Sequence, residues 1–221
     1  MTFQRARSEE QREVRRRAIL DTAAAMLDEM PLADVSLNEL SRRVGLAKSN
    51  VLRYFDSREG VLLALMDAVL ERWLGDLTAS LAAGVDPGLP LPGRAGQLSA
   101  VLARSLAGDP VLLDLLGAQG AVLERNVTAE VVTRHKRTAL VRLTEAADVL
   151  RRYVPELGAA AETFCFQVMV LAGALAPFSS PPPGVRAAYE ADPALAVLHL
   201  ELQDSVELAV RTMLLGAVPR D

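Results

Sequence analysis

Apolar residues recur in this chain at three- and four-residue intervals over long stretches, and that period restricts the fold more than any other feature. Ile19, Ala23, Met26, Leu27 and Met30 fall on one side of a helical wheel, and Leu62, Met66, Val69, Trp73 and Leu77 keep register for more than four turns. A strand would throw alternate members of such a series onto opposite faces. Composition points the same way. Hydrophobic residues make up 51% of the 221 positions but aromatics only 4%, so helix formers outweigh the β-branched and aromatic residues that strands favour. An all-α fold is expected. The single cysteine, Cys165, excludes an internal disulfide framework and a Cys-rich zinc site, and it reads as a small buried hydrophobe.

Local signals divide the chain into helices. Ser8 with Gln11 has capping-box spacing, which predicts a first helix from Glu9 to Met30, stopped by Pro31. Ser36 is placed to cap a short second helix carrying Leu37, Leu40 and Val44 on one face and closed by Gly45. A third helix is expected over Ala47–Phe55 and a fourth, which Asp56 and Ser57 can cap, from there to about Ala83. Beyond a Pro/Gly-rich break at 84–93, helices are predicted at 94–107, 110–124 with Asp109 as cap, 128–153, 158–176 and 192–217. A second Pro-rich break covers 179–184, with one short helical turn after it.

The formal charge of −4 is unevenly distributed. Residues 1–60 hold eleven Lys/Arg against ten Asp/Glu, and residues 61–221 hold thirteen against eighteen. Two basic clusters stand in the first part: Arg5, Arg7, Arg12, Arg15, Arg16 and Arg17, then Arg42, Arg43, Lys48, Arg53 and Arg58. A basic footprint on an acidic chain points to a polyanion, although solvated helix faces would carry the same charges.

Ser36 to Phe55 reads helix, Gly turn, helix, the layout whose second helix enters a DNA major groove. At about 100° per residue, Val51, Phe55 and Leu52 lie on the inward side of that helix, and Ser49, Arg53, Asn50 and Tyr54 on the outward side. Arg suits guanine or phosphate, Asn suits adenine, and Ser and Tyr donate to phosphate oxygens. Lys48 stands where a helix N-terminus already attracts anions. The bland alternative is a helical hairpin whose polar face is merely wet.

Ser-Leu-Asn-Glu-Leu at 36–40, Val-Gly-Leu-Ala-Lys-Ser-Asn-Val-Leu-Arg-Tyr-Phe at 44–55 and Ser-Arg-Glu-Gly-Val-Leu-Leu-Ala-Leu at 57–65 resemble the N-terminal domain of TetR-type transcriptional regulators. The resemblance covers about the first 75 residues. It implies a three-helix DNA-binding head with a helix-turn-helix over residues 1–60 (motif about 36–55). A helical-bundle domain for effector binding and dimerisation would then occupy 61–221. It implies a homodimer on a palindromic double-stranded DNA operator, acting as a repressor released by a small-molecule effector. Ser36 and Tyr54 take the place of phosphate contacts, and Arg58 that of a phosphate-binding Lys. Asn38, Lys48, Ser49 and Asn50 match base-facing positions. Departures are Ala47 where Ser or Thr caps the third helix, Asn50 for Thr and Leu52 for Tyr. Met66, Trp73, Leu112, Leu116, Phe164 and Met169 are implied to border the effector cavity. A helical interaction module without DNA binding is the alternative.

The final helix is apolar on more than one face. Leu195, Leu198, Leu202, Val206, Ala209 and Met213 form one stripe, and Leu200, Leu208, Val210, Leu214 and Leu215 lie outside it. Two apolar faces need two covers. A partner subunit is the expected second cover, which assigns Leu198, Leu202, Val206, Ala209 and Met213 to a dimer interface with helix 128–153 as companion. Burial inside one subunit is the alternative. His135 and His199 are too far apart in sequence for a zinc pair and read as surface or packing residues, and no catalytic, metal or cofactor motif is visible, so neither an enzyme nor a cofactor is expected. The N-terminus lacks an apolar signal core, and the run Phe164–Phe178 is short for a membrane helix. A cytoplasmic protein with no membrane partner is expected.

Overall fold

The computed structural model describes residues 2–218, with side chains from Glu9 onward; among these residues every regular element is helical and none is a strand. The α-helices are α1 (Thr2–Glu29), α2 (Leu37–Val44), α3 (Lys48–Val51), α4 (Arg58–Gly84), α5 (Leu91–Ala107), α6 (Pro110–Ala118), α7 (Ala129–Arg151), α8 (Ala161–Ser179), α9 (Pro183–Ala191) and α10 (Leu202–Ala217). The chain forms two compact units. Met1–Ala68 with Ala118–Arg137 makes one, and Val69–Gly117 with Thr138–Asp221 makes the other, so α4 and α7 each run from one unit into the other.

In the first unit α1 begins at Thr2, earlier than the capping pattern at Ser8 predicts. Its apolar stripe, Ile19, Ala23 and Met26, is fully buried. Three predicted caps are made. Ser36 Oγ accepts from Glu39 N (3.2 Å), and Ser57 Oγ accepts from Gly60 N (3.0 Å). In the second unit Asp109 Oδ1 accepts from Leu112 N (3.0 Å). Each satisfies an amide that the helix itself leaves open. Gly45 ends α2 in the left-handed region (φ 72°), and Leu46 N donates to Ser41 O (3.0 Å) beyond it. A side chain would be strained there, which is why Gly marks the turn between α2 and α3.

The first unit also has a polar cluster, in which His135 is a packing residue with hydrogen-bond partners. Residues Gln119–Leu123 widen into a π-helical turn, and buried His135 of α7 lies with its Nδ1 2.7 Å from Asp67 Oδ1 of α4. With Nδ1 donating to the carboxylate, Nε2 is left to accept from Gln119 Nε2 at 3.1 Å. Gln119 donates onward to Glu124 Oε1 (2.8 Å), which also pairs with Lys136 (2.5 Å). This network ties residues 118–137 to the helix-turn-helix unit.

In the second unit α10 packs on α5 and α8. Val206, Val210 and Leu214, one turn apart, are fully buried there. The predicted helix 192–217 is in fact broken. A 3-10 turn at Pro193–Leu198 is followed by extended backbone at His199 and Glu201 before α10 begins. Leu198 is therefore off the α10 stripe and exposed, and Val206 is taken into its own subunit's core rather than left for a partner. Apolar spacing alone does not register such a break, because it is satisfied on both sides of it.

The helical segment around α8 is longer than the run Phe164–Phe178 indicates. Pro155–Ser179 is 25 residues with mean hydropathy 1.6, long and apolar enough by length and composition to cross a membrane. Its packing is that of a core helix on one side: Phe164, Cys165, Val168 and Ala172 are buried. Burial pushes the Cys165 thiol up to about 12, in keeping with a small apolar filler.

Candidate nucleic-acid interface

The helix-turn-helix is held by α1 and by a set of ion pairs that sort its basic residues into two groups. Glu39 receives two bonds from Arg42 (Nη2 2.6 Å, Nε 2.9 Å) and one from Arg43 Nε (2.8 Å). Those guanidiniums, Arg42 first, hold the Glu39 carboxyl down at about 2. Arg43 reaches on to Glu29 of α1 (2.6 Å), which ties α1 to α2. Arg58 is occupied too. Its guanidinium donates to the carbonyls of Leu32 and Val35 and pairs with Glu59 (3.1 Å). The expected open phosphate contact at Arg58 is thus replaced by a residue that pins the turn before α2 onto the start of α4.

The second group is unpaired. Among the described residues Lys48, Arg53, Arg12 and Arg15 make no ion pair, and all four are exposed. Ser36, Asn38, Ser49 and Asn50 are exposed beside them, and Tyr54 is half-buried. Val51 and Phe55 point inward as the wheel predicts, with Arg16 stacked 5.1 Å over the Phe55 ring. Leu52 departs from it, at 39% exposure. Leu52 is the C-terminal cap of α3, which is only Lys48–Val51, and past it the backbone mixes i to i−3 bonds at Arg53 and Tyr54 with an i to i−4 bond at Phe55. Ala47 offers no side-chain cap, so α3 starts without one.

A cleft of about 440 Å³ opens beside this face, lined by Gln11, Arg12 and Arg15 of α1 and by Leu46, Asn50, Arg53 and Tyr54. The expected effector residues divide differently. Met66 belongs to the first unit's core. In the second unit Trp73, Leu112 and Phe164 are buried, whereas Leu116 and Met169 are half-buried. Trp73 Nε1 is buried with no hydrogen-bond partner among the described residues. Apolar side chains stay exposed on α8 (Phe166 60%, Val170 55%, Phe178) and on α10 (Leu208 69%), whereas Leu202, Ala209 and Met213 are partly covered.

An all-helical chain with a helix-turn-helix near its N-terminus and an open polar face on the second helix of the motif is of the helix-turn-helix class. Residues 19–65 match the family of bacterial regulatory proteins of the TetR type, and residues 67–221 match the tetracyclin repressor-like C-terminal domain. The chain belongs to the TetR family of bacterial regulatory proteins. It is 42% identical over 55 residues to the HTH-type transcriptional regulator EthR of Mycobacterium tuberculosis, a quarter of this chain (25%) and of that protein (26%). The Mycolicibacterium smegmatis regulator of the same name is 36% identical over 58 residues, again covering 26% of this chain and 27% of its own length. The match thus spans about a quarter of these curated relatives. Among solved structures, a TetR-family regulator from Mesorhizobium loti superposes with TM-score 0.53 at 12% identity, covering 93% of this chain and 96% of its own. The fatty acid degradation regulator FadR of Bacillus halodurans gives TM-score 0.53 at 13% identity, covering 90% and 94%. These two share the fold. An interaction module that does not bind DNA finds no support in these matches.

Proposed function

We propose that this chain is a transcriptional repressor that binds a palindromic operator as a homodimer and is released by a small molecule. The observation that carries the reading is the sorting of cations in the first unit. Arg42, Arg43 and Arg58 are spent on internal partners, and Lys48 and Arg53 are left open on the same face as Ser49 and Asn50. Unpaired cations beside neutral donors and acceptors suit a groove floor flanked by phosphates. In this reading Asn38, Lys48, Ser49, Asn50 and Arg53 face bases, Ser36 and Tyr54 hold phosphates, and Arg58 sets the motif's position.

Two heads must sit about 34 Å apart to enter successive major grooves, which a dimer provides. Phe166, Val170 and Leu208 are the faces offered to the second copy, because large apolar side chains that exposed are otherwise left in water. The effector is an apolar or amphipathic molecule held in the second unit near Trp73, Leu112, Leu116, Phe164 and Met169. By reciprocity, an effector that releases DNA binds the DNA-bound form more weakly, typically by about 1–3 kcal/mol.

A gel shift on the DNA upstream of the chain's own gene tests the reading. Asn50→Ala or Arg53→Ala should each cost on the order of 1–3 kcal/mol and relax preference at one operator position. An unchanged ranking of operator variants in both mutants would refute the base-reading roles. Phe166→Glu should sediment as a monomer at micromolar concentration and lose operator affinity with it.

A further inference from the structure

The cleft beside α3 has a second wall that the helix-turn-helix does not supply. Gln11, Arg12 and Arg15 come from α1, more than thirty positions earlier in the chain than Asn50, Arg53 and Tyr54 on the other side. Wheel geometry shows why these α1 residues arrive there. Taking Arg12 as zero at about 100° per residue, Arg15 and Gln11 fall within about 100° of it, on the same side as Ile19. Ile19 is fully buried against the head, so the face that packs at Ile19 continues one to two turns toward the N-terminus and overhangs α3. Glu9, Glu13 and Glu10 fall about 60–160° round the other way. These three acids are therefore turned from the cleft, and Arg12 and Arg15 into it.

Charge bookkeeping agrees. Neither wall has a carboxylate, and Arg12, Arg15 and Arg53 have no acidic partner among the described residues. Three guanidiniums gathered without a counter-charge repel one another, which an anion between them would relieve. Tyr54 and Asn50 add neutral donors, and the volume is within the range that takes in a nucleotide-sized group.

We propose that Arg12 and Arg15 form the second wall of a phosphate seat, gripping one phosphodiester of the bound duplex from the side opposite Tyr54, while Arg53 at the edge of the same cleft reaches on to the bases. This rests on the DNA-binding reading above and adds α1 to the interface. A backbone phosphate carries no base identity, so the seat strengthens binding to every sequence alike and fixes how deeply α3 enters the groove.

The test needs no operator. A fluorescein-labelled 30-bp duplex of arbitrary sequence is titrated with full-length protein by anisotropy from 50 to 200 mM KCl. Arg12→Gln/Arg15→Gln should lower affinity about tenfold at fixed salt and reduce the slope of log K against log salt by about one. Arg17→Gln, on the far side of α1, should leave the slope unchanged. Thermal melts of both variants should match the parent, because these side chains are exposed. A double variant with the parent's slope overturns the seat. So does an Arg17→Gln loss equal, per charge removed, to that of the double variant, which would reduce the effect to net charge. A parent protein that binds no duplex in this range overturns the DNA-binding reading itself, an outcome distinct from either.

Discussion

Adding one methyl group at two glycines should move stability in opposite directions, and the structure supplies both signs. At Gly173 of α8 a Cβ would stand 2.8 Å from Gly117 N and 2.9 Å from Leu116 C and Leu116 Cβ at the end of α6. Two of those three atoms are backbone, so no side-chain rotation relieves the approach. The helices would have to part by about half an ångström, and overpacking of this kind costs about 1–3 kcal/mol. At Gly96 of α5 nothing lies within 4 Å of the added atom. There the substitution leaves only the helix preference of Ala over Gly, a gain of about 1 kcal/mol. Since both variants share that gain, Gly173→Ala should fall below Gly96→Ala by the overpacking cost alone. For a chain of this size that difference is roughly 2–12 °C in Tm. Differential scanning calorimetry of the two variants beside the parent reads it directly. Equal increases in Tm would refute the reasoning, because they would mean that α6 and α8 do not approach through these glycines.

Three further outcomes follow from the first unit's ion pairs and the second unit's thiol. Glu39 titrates well below its ordinary 4.5, at about 2, because Arg42 and Arg43 hold its charged form; its contribution is therefore complete above pH 4.5 and lost as pH falls toward 2. The difference in melting midpoint between the parent and Glu39→Gln should narrow across that window, and a constant difference would dissociate the pair from acid sensitivity. Arg58→Lys replaces a guanidinium fork, whose Nε and Nη2 each reach a separate carbonyl of Val35 and Leu32, by a single ammonium, so the unit should lose about 1–3 kcal/mol by denaturant melting with its DNA salt slope unchanged; a reduced slope on an unshifted melt would restore a direct phosphate contact. Cys165, with its thiol pushed up to about 12 by burial, should react with a disulfide reagent at pH 8 only when denaturant is present, and rapid native labelling would contradict its burial.

What the amino-acid sequence determines by itself is local. The 3.6-residue period places α4 within a residue of its expected start, Gly45 places the turn of the motif, and Ser36, Ser57 and Asp109 cap the helices they are expected to cap, because caps and turns depend on neighbours three or four positions away. The outward face of α3 is legible for the same reason, up to Leu52, where α3 ends. Partner choice is not local. Arg43 finds Glu29 fourteen residues back, Arg58 finds Leu32 and Val35, and His135 finds Asp67 sixty-eight residues away, so only tertiary structure separates spent cations from open ones. It also decides which apolar face of α10 belongs to its own subunit. A wheel with two apolar sides is symmetric in that respect, and the answer, Val206, Val210 and Leu214 inward with Leu208 outward, comes from where α5 and α8 happen to stand.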